Sequence, residues 1–195
     1  MSDSRESILR ALRKQLPQVA PLPTLDQSWT QYDDTLAQFG DSVIAVGGQI
    51  EGCSREDLPT IVERVPDYDV SKKIISVVDD VAGNTRLDDV DDPHDLEDVH
   101  LAIAHGQFGV AENGAVWIDD RDLRHRVVLF IAQHIILVVP IAEIVNNMHE
   151  AYERISFAEN HFGAFISGPS KTADIEQSLV IGAHGARSLH VILVD

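Results

Sequence analysis

Two short stretches carry residue types and spacing that could do chemistry. The first, Ile166-Ser167-Gly168-Pro169-Ser170-Lys171-Thr172-Ala173-Asp174, sets small and hydroxylated residues and one lysine after a short apolar run. Pro169 cannot continue a strand ladder, so the stretch reads as a strand, a tight loop and the start of a helix, before the apolar strand Leu189 to Val194. Unpaired N–H groups at such a helix start, helped by Lys171, would seat a small carboxylate or phosphate. The candidate anion-binding residues are therefore Ser167, Gly168, Ser170, Lys171, Thr172 and Asp174. The structural reading of the same residues is a cap, Ser170 or Thr172, with Asp174 and Glu176 favouring the positive end of the helix. The second stretch, Ala111-Glu112-Asn113-Gly114, sets a lone carboxylate between apolar runs. Asn-Gly favours a tight turn, so Glu112 is either an exposed hairpin residue or a poorly solvated carboxylate able to act as base or nucleophile.

The run from Gly168 through Asp174 to Gly182, His184, Gly185 and Arg187 resembles the C-terminal signature of the lactate-utilization (LUD) domain family. The likeness extends back through Ala111-Glu112-Asn113-Gly114 and covers residues 99 to 195 well. It departs at Asn113, where the family usually has Thr or Ser, and at Ala186, where Pro is common. The resemblance implies a NagB/RpiA/CoA-transferase-like layered fold. It also implies a role in the bacterial system that oxidises L-lactate to pyruvate, beside two sister proteins that carry iron-sulfur clusters. Glu112-Asn113-Gly114 is similar to the short motif holding the catalytic Glu in one class of coenzyme A transferases. The alternative function is thus a free-standing transferase or hydrolase that uses Glu112 on a carboxylated small molecule.

Composition narrows the remaining classes. The 195 residues are 44% hydrophobic, enough for one good-sized core. A formal charge of −17 disfavours nucleic-acid backbone and anionic membrane surfaces. The single Cys53 offers no disulfide framework, no thiolate zinc site and no cluster ligated by this chain alone; iron-sulfur clusters in partner proteins are what the resemblance implies. No segment approaches eighteen uncharged apolar residues and no leader pattern is present, which predicts a cytoplasmic protein with no membrane span. A homo-oligomer is compatible with these features. The nine histidines show no i, i+4 metal pair, so no metal site is expected; His105, at a strand end beside Gly106-Gln107-Phe108-Gly109, and His184 are further candidate site residues.

The elements that must position these residues follow from periodicity. A helix from Asp3 or Ser4 to Pro17, with Ile8, Leu9, Leu12 and Leu16 on one face, and a second bearing Trp29, Tyr32, Leu36 and Phe39 up to Gly40 make an N-terminal helical arm, residues 1–40, packed on an α/β domain, residues 41–195. Trp29 reads as packing. Strands are expected at Val43 to Val46, Ile74 to Val78, Val99 to Ala104, Ala115 to Ile118, Val127 to Ala132, Ile135 to Val139, Ala164 to Ile166 and Leu189 to Val194. Helices are expected at Leu58 to Val65, capped by Ser54, and from Pro140 through Ile155. The result is an α/β domain, a mostly parallel sheet with helices on both faces. Between Asp79 and Asp98 lie nine acids and one Arg, a solvated loop whose Asp79, Asp80, Asp88 and Asp89 fit no calcium-loop spacing. Because α/β domains gather ligand sites at the carboxyl edge of the sheet, the Ser167–Thr172 loop is expected there, close to Glu112.

Overall fold

The structure is a computed structural model that describes residues 2–15, 21, 24, 28–156, 162–173, 179–182 and 184–195. Among these, five parallel strands form the central sheet in the order β1 (Gln49–Cys53), β11 (Ser188–Val194), β6 (His134–Pro140), β3 (Val99–His105) and β2 (Lys73–Ser76). Successive residues of these strands point to opposite faces and both faces are covered, which is why the inner strands read as unbroken apolar runs. On one face Ile74, Leu101, Ile103, Ile136, Val138 and Ile192 meet Leu58 and Val62 of helix α3 (Leu58–Arg64). On the other, Ala102, Ala104, Ile135, Leu137, Val139 and Val191 meet Phe39 and Val43 of helix α2 (Thr35–Ala45) and Val128 and Leu129 of the short helix α4 (Val128–Ile131). Each Ile or Leu so buried contributes about 1.5–3 kcal/mol.

A second sheet lies against that latter face, with the order β7 (Ile144–Val145), β4 (Phe108–Val110), β5 (Ala115–Asp119), β8 (Gly163–Ile166). Val116 and Ile118 of β5 belong to the same buried cluster as the central strands. The outer side of this sheet packs Phe108 and Val110 around Ala151 of helix α5 (Met148–Arg154). Helix α1 (Ser2–Lys14) leaves Ile8 and Leu12 61% and 56% exposed and Leu9 half-buried, while Leu16 of the expected face lies outside the described residues.

Several expectations are corrected by the packing. Val43 is helical, not a strand residue: Asp34 accepts the Ala37 N–H at 2.9 Å as N-cap, and Phe39 and Val43, four apart, bury together. Gly40 does not end this helix, and α2 runs across the 40/41 boundary expected between arm and domain. The edge strand is instead Gln49–Cys53, disguised by Gln49, Glu51 and Gly52 because only one of its edges is paired. The apolar run at 127–132 is the single-turn α4, packed across the sheet without entering it. Pro140 closes β6, and the helix expected there begins only after Asn147, whose side chain accepts the N–H groups of His149 and Glu150. Ser54 does not cap α3: Asp57, expected in the first turn, holds the N-cap position, and Ser54 accepts the Asp57 N–H in the turn before it. The acidic 79–98 stretch is a loop with two 3-10 turns, pinned by buried Leu87 and Leu96.

The largest correction concerns the C-terminal motif. Lys171–Ala173 is strand β9, paired antiparallel with β10 (Leu179–Ile181), so no helix opens at Ser170. A helix N-terminus is therefore not what this loop offers an anion.

Candidate functional site

The two motif stretches meet. Ser167 donates its hydroxyl to the Asn113 carbonyl at 2.9 Å. Both loops press on the last turn of α2: Ser42 donates to the Ala111 carbonyl at 2.7 Å, a Cβ on Gly114 would strike the Ser42 backbone, and one on Gly168 would strike the Val46 carbonyl. Gly114 and Gly168 have φ of 64° and 69°, a region that side chains with a Cβ rarely adopt. The motif glycines are thus required twice, by backbone conformation and by close approach.

This junction is at the amino edge of the central sheet, not the carboxyl edge. Gly48 passes from α2 into the start of β1, and Ser170 N–H donates to the Ala186 carbonyl at 2.8 Å, two residues before β11 begins. The reason is that β8 belongs to the second sheet and runs antiparallel to β5, so the chain leaves it beside the strand starts. The expected nearness of Glu112 to the loop holds; the expected edge does not.

Glu112 is exposed, and its carboxylate accepts the N–H of Met148 at 2.9 Å, the first residue of α5. Together with Asn147, it satisfies the opening N–H groups of that helix. Glu150 then reaches back to the Asn146 N–H at 2.8 Å and accepts from Gln31, while Asn146 accepts from Tyr32 and Thr35. Burial pushes the Glu150 carboxyl up, but the hydrogen bonds from Asn146 and Gln31 outweigh it and hold the group below its ordinary value. Trp29 stacks on His149 with ring centroids 3.4 Å apart, a packing role as expected.

Ser167, Gly168, Ser170, Lys171 and His184 line one cavity of about 370 Å³, floored by Leu129, Ile135 and Leu189. A neighbouring hollow shares His184 and Phe130 and adds Gln133 and Arg187. A Cβ on Gly182, whose φ is 71°, would strike the Arg187 side chain, and one on Gly185 would crowd Ser170. The spacing of Gly182, His184, Gly185 and Arg187 thus lets the β9–β10 hairpin close over Ser170. Lys171 is exposed and its stem passes Gly47, just beyond the carboxyl end of α2, where a cation is favourable. Thr172 lies in β9, its side chain outside the described residues, as is Asp174 altogether. Gln133 and Phe130 were not legible as site residues: nothing in an apolar run marks which end meets a loop.

His105 is elsewhere. It ends β3 and faces a cavity of about 830 Å³ at the carboxyl edge of the sheet. A third polar group sits at the strand starts: His134 Nδ1 is 2.8 Å from Ser188 Oγ and 3.1 Å from Asp67 Oδ2, with His100 edge-on at 4.8 Å. Burial pushes the His134 pKa down, against the opposing pull of Asp67. Burial pushes the Cys53 thiol up, with Asp57, Glu51 and Asp195 adding to it, so Cys53 is a poor nucleophile. Among the described residues no group of three or more His, Cys, Asp or Glu could hold a metal ion. No helix of the described residues is long and apolar enough to cross a membrane.

The LUD domain model matches residues 56–194. The chain belongs to the LUD domain family. Curated relatives of this LUD domain include lactate utilization protein C of Geobacillus thermodenitrificans, 31% identical over 107 residues, covering 51% of this chain and 44% of that protein. Lactate utilization protein C 1 of Bacillus mycoides is 36% identical over 101 residues, covering 49% and 43%, and lactate utilization protein C of Shouchella clausii is 32% identical over 116, covering 55% and 51%. The match spans about half the length of these relatives. The crystal structure of a DUF162 family protein from Deinococcus radiodurans superposes with a TM-score of 0.66 at 22% identity, covering 83% of this chain and 96% of that one. The LUD domain therefore has the same α/β fold as that protein, with its mostly parallel central sheet.

Proposed function

We propose that this LUD domain is a component of bacterial L-lactate utilization, the oxidation of lactate to pyruvate, acting as an accessory or substrate-binding subunit beside iron-sulfur partner proteins. The observation that carries this reading is the family match over residues 56–194 together with relatives named lactate utilization protein C. An accessory role is favoured by the residue inventory, since one cysteine in 195 residues cannot supply the several thiolates a cluster takes. Redox centres then belong to partners, and this chain contributes binding or assembly. The engagement of Glu112 as a cap on α5 favours this reading over a transferase nucleophile.

The test uses the tagged full chain in cells grown on L-lactate. Deleting its gene should slow growth on L-lactate and spare growth on pyruvate, and the tagged chain should recover proteins with the visible absorbance of iron-sulfur clusters. Unchanged growth on L-lactate, with no cluster protein recovered, would overturn the proposal.

A further inference from the structure

The 830 Å³ cavity lies apart from the loop junction, at the carboxyl ends of β2 and β3, where open α/β sheets commonly hold ligands. Its size falls in the range that takes up whole small organic molecules. Its floor is His105, at the end of β3, and its mouth carries Arg86, Arg121 and Arg124. Three of the fifteen Lys and Arg residues thus converge on one hollow of a chain with formal charge −17. Three aspartates, Asp79, Asp88 and Asp122, share the lining and bring its side-chain charge to formal neutrality.

The walls are held by packing, whereas the ion pairs of Arg86 and Arg124 are at the surface. Leu87 is buried directly beside Arg86, and Leu123 directly beside Arg124, so both wall turns are plugged into the core. His125 Nε2 lies 2.7 Å from the Val90 carbonyl and fastens one wall to the other. Arg121 is oriented by Asp119, which accepts its Nε–H at 2.8 Å. Arg124 is bonded to the Asp88 carbonyl, and its Nη2 is 2.7 Å from Asp91, a carboxylate 95% exposed. Arg86 is 78% exposed and only 3.8 Å from Asp89. Such surface pairs contribute about 0–1 kcal/mol and exchange readily for another anion. A guanidinium also matches carboxylate or phosphate oxygens two at a time.

We propose that this carboxyl-edge cavity is a binding site for a small hydroxylated organic oxyanion, a carboxylate or a phosphate ester. Arg86 and Arg124 hold its oxyanion, and His105 with Asp79 and Asp122 takes up its hydroxyl groups. The aspartates are acceptors for a ligand that donates, and they disfavour a bare polyanion, which selects for a body carrying hydroxyls. The site stands on this cavity alone and does not depend on the lactate reading.

The experiment is calorimetric titration of the full chain with citrate and, separately, with glycerol 3-phosphate, at fixed ionic strength. At least one should bind saturably, the stronger of the two identifying carboxylate or phosphate as the preferred head group. Arg86→Ala and Arg124→Ala should each weaken that binding roughly ten- to a hundredfold, as expected for loss of one charge-assisted contact. Arg64→Ala, on the exposed side of α3, should not change it. Both substitutions are at exposed side chains, and thermal melts verify that each variant is folded. Absence of binding by both probes, or binding that survives Arg86→Ala and Arg124→Ala unchanged, would overturn the site.

Discussion

The Ser167 hydroxyl donates to the Asn113 carbonyl across 2.9 Å and ties together two loops that are 54 residues apart in the chain. Both loops rest on the last turn of α2, so the signature residues of this LUD domain are the contact between its two sheets and the helix that enters the central sheet at β1. Their chemistry and their packing are read from the same few atoms.

The tightest constraint at this contact is Gly168. Gly168→Ala places a Cβ in a left-handed conformation and against the Val46 carbonyl, at a cost of about 1–3 kcal/mol or more. Ser167→Ala removes one exposed hydrogen bond, and about 1 kcal/mol or less is expected. Urea unfolding of both variants measures the difference; equal midpoints for Gly168→Ala and the parent would contradict the close approach.

Glu112→Ala should destabilise the chain by about 0.5–2 kcal/mol through loss of the α5 cap, with the effect reported by faster amide exchange at Met148. Glu112→Gln, which keeps an acceptor oxygen, should recover most of that stability. Turnover separates this from a nucleophile: if Glu112 were one, the Gln variant would lose all turnover while still melting like the parent.

For Lys171 the position beside Gly47 predicts a salt-sensitive effect. Lys171→Ala should cost about 0.3–1 kcal/mol at low ionic strength, shrinking as salt screens the interaction with the carboxyl end of α2. Thermal melts from low to high NaCl provide the comparison. If phosphate or lactate raised the parent's melting point and not that of Lys171→Ala, an anion seat in the 370 Å³ cavity would be indicated as well.

His134 sets a pH dependence. Burial lowers its folded pKa from the ordinary 6.5, reinforced by nearby His100, Arg187 and Lys72 and opposed by Asp67. The unfolded chain then binds the proton more readily than the folded one, so this contribution to stability is full above about pH 6.5 and is lost as pH falls through 6.5 toward the folded value. His134→Asn, which can keep a donor toward Ser188, should flatten the stability profile in that window. A profile as steep in the variant as in the parent would assign the dependence to other groups.

Strands such as Val99–His105, His134–Pro140 and Ser188–Val194 were legible because a strand buried on both faces needs apolar residues at nearly every position, and that need is written locally. The same holds for α3, whose Leu58 and Val62 recur at helical spacing. Gln49–Cys53 was not legible, since an edge strand with one neighbour tolerates Gln, Glu and Gly, and its pairing with β11 is a contact across 140 residues. Val128–Ile131 has the composition of a buried strand, yet it is a helical turn packed against the central sheet and not paired into it. After Pro169 the local residues fit a capped helix equally well; pairing with Leu179–Ile181 decides for a hairpin. The nearness of Glu112 to the Ser167 loop was expected from a shared carboxyl edge, but the two meet at the amino edge, because β8 joins a second sheet, antiparallel to β5. Local sequence determined which segments are buried, and the choice of partner, which rests on contacts between residues far apart in the chain, was made only by the tertiary structure.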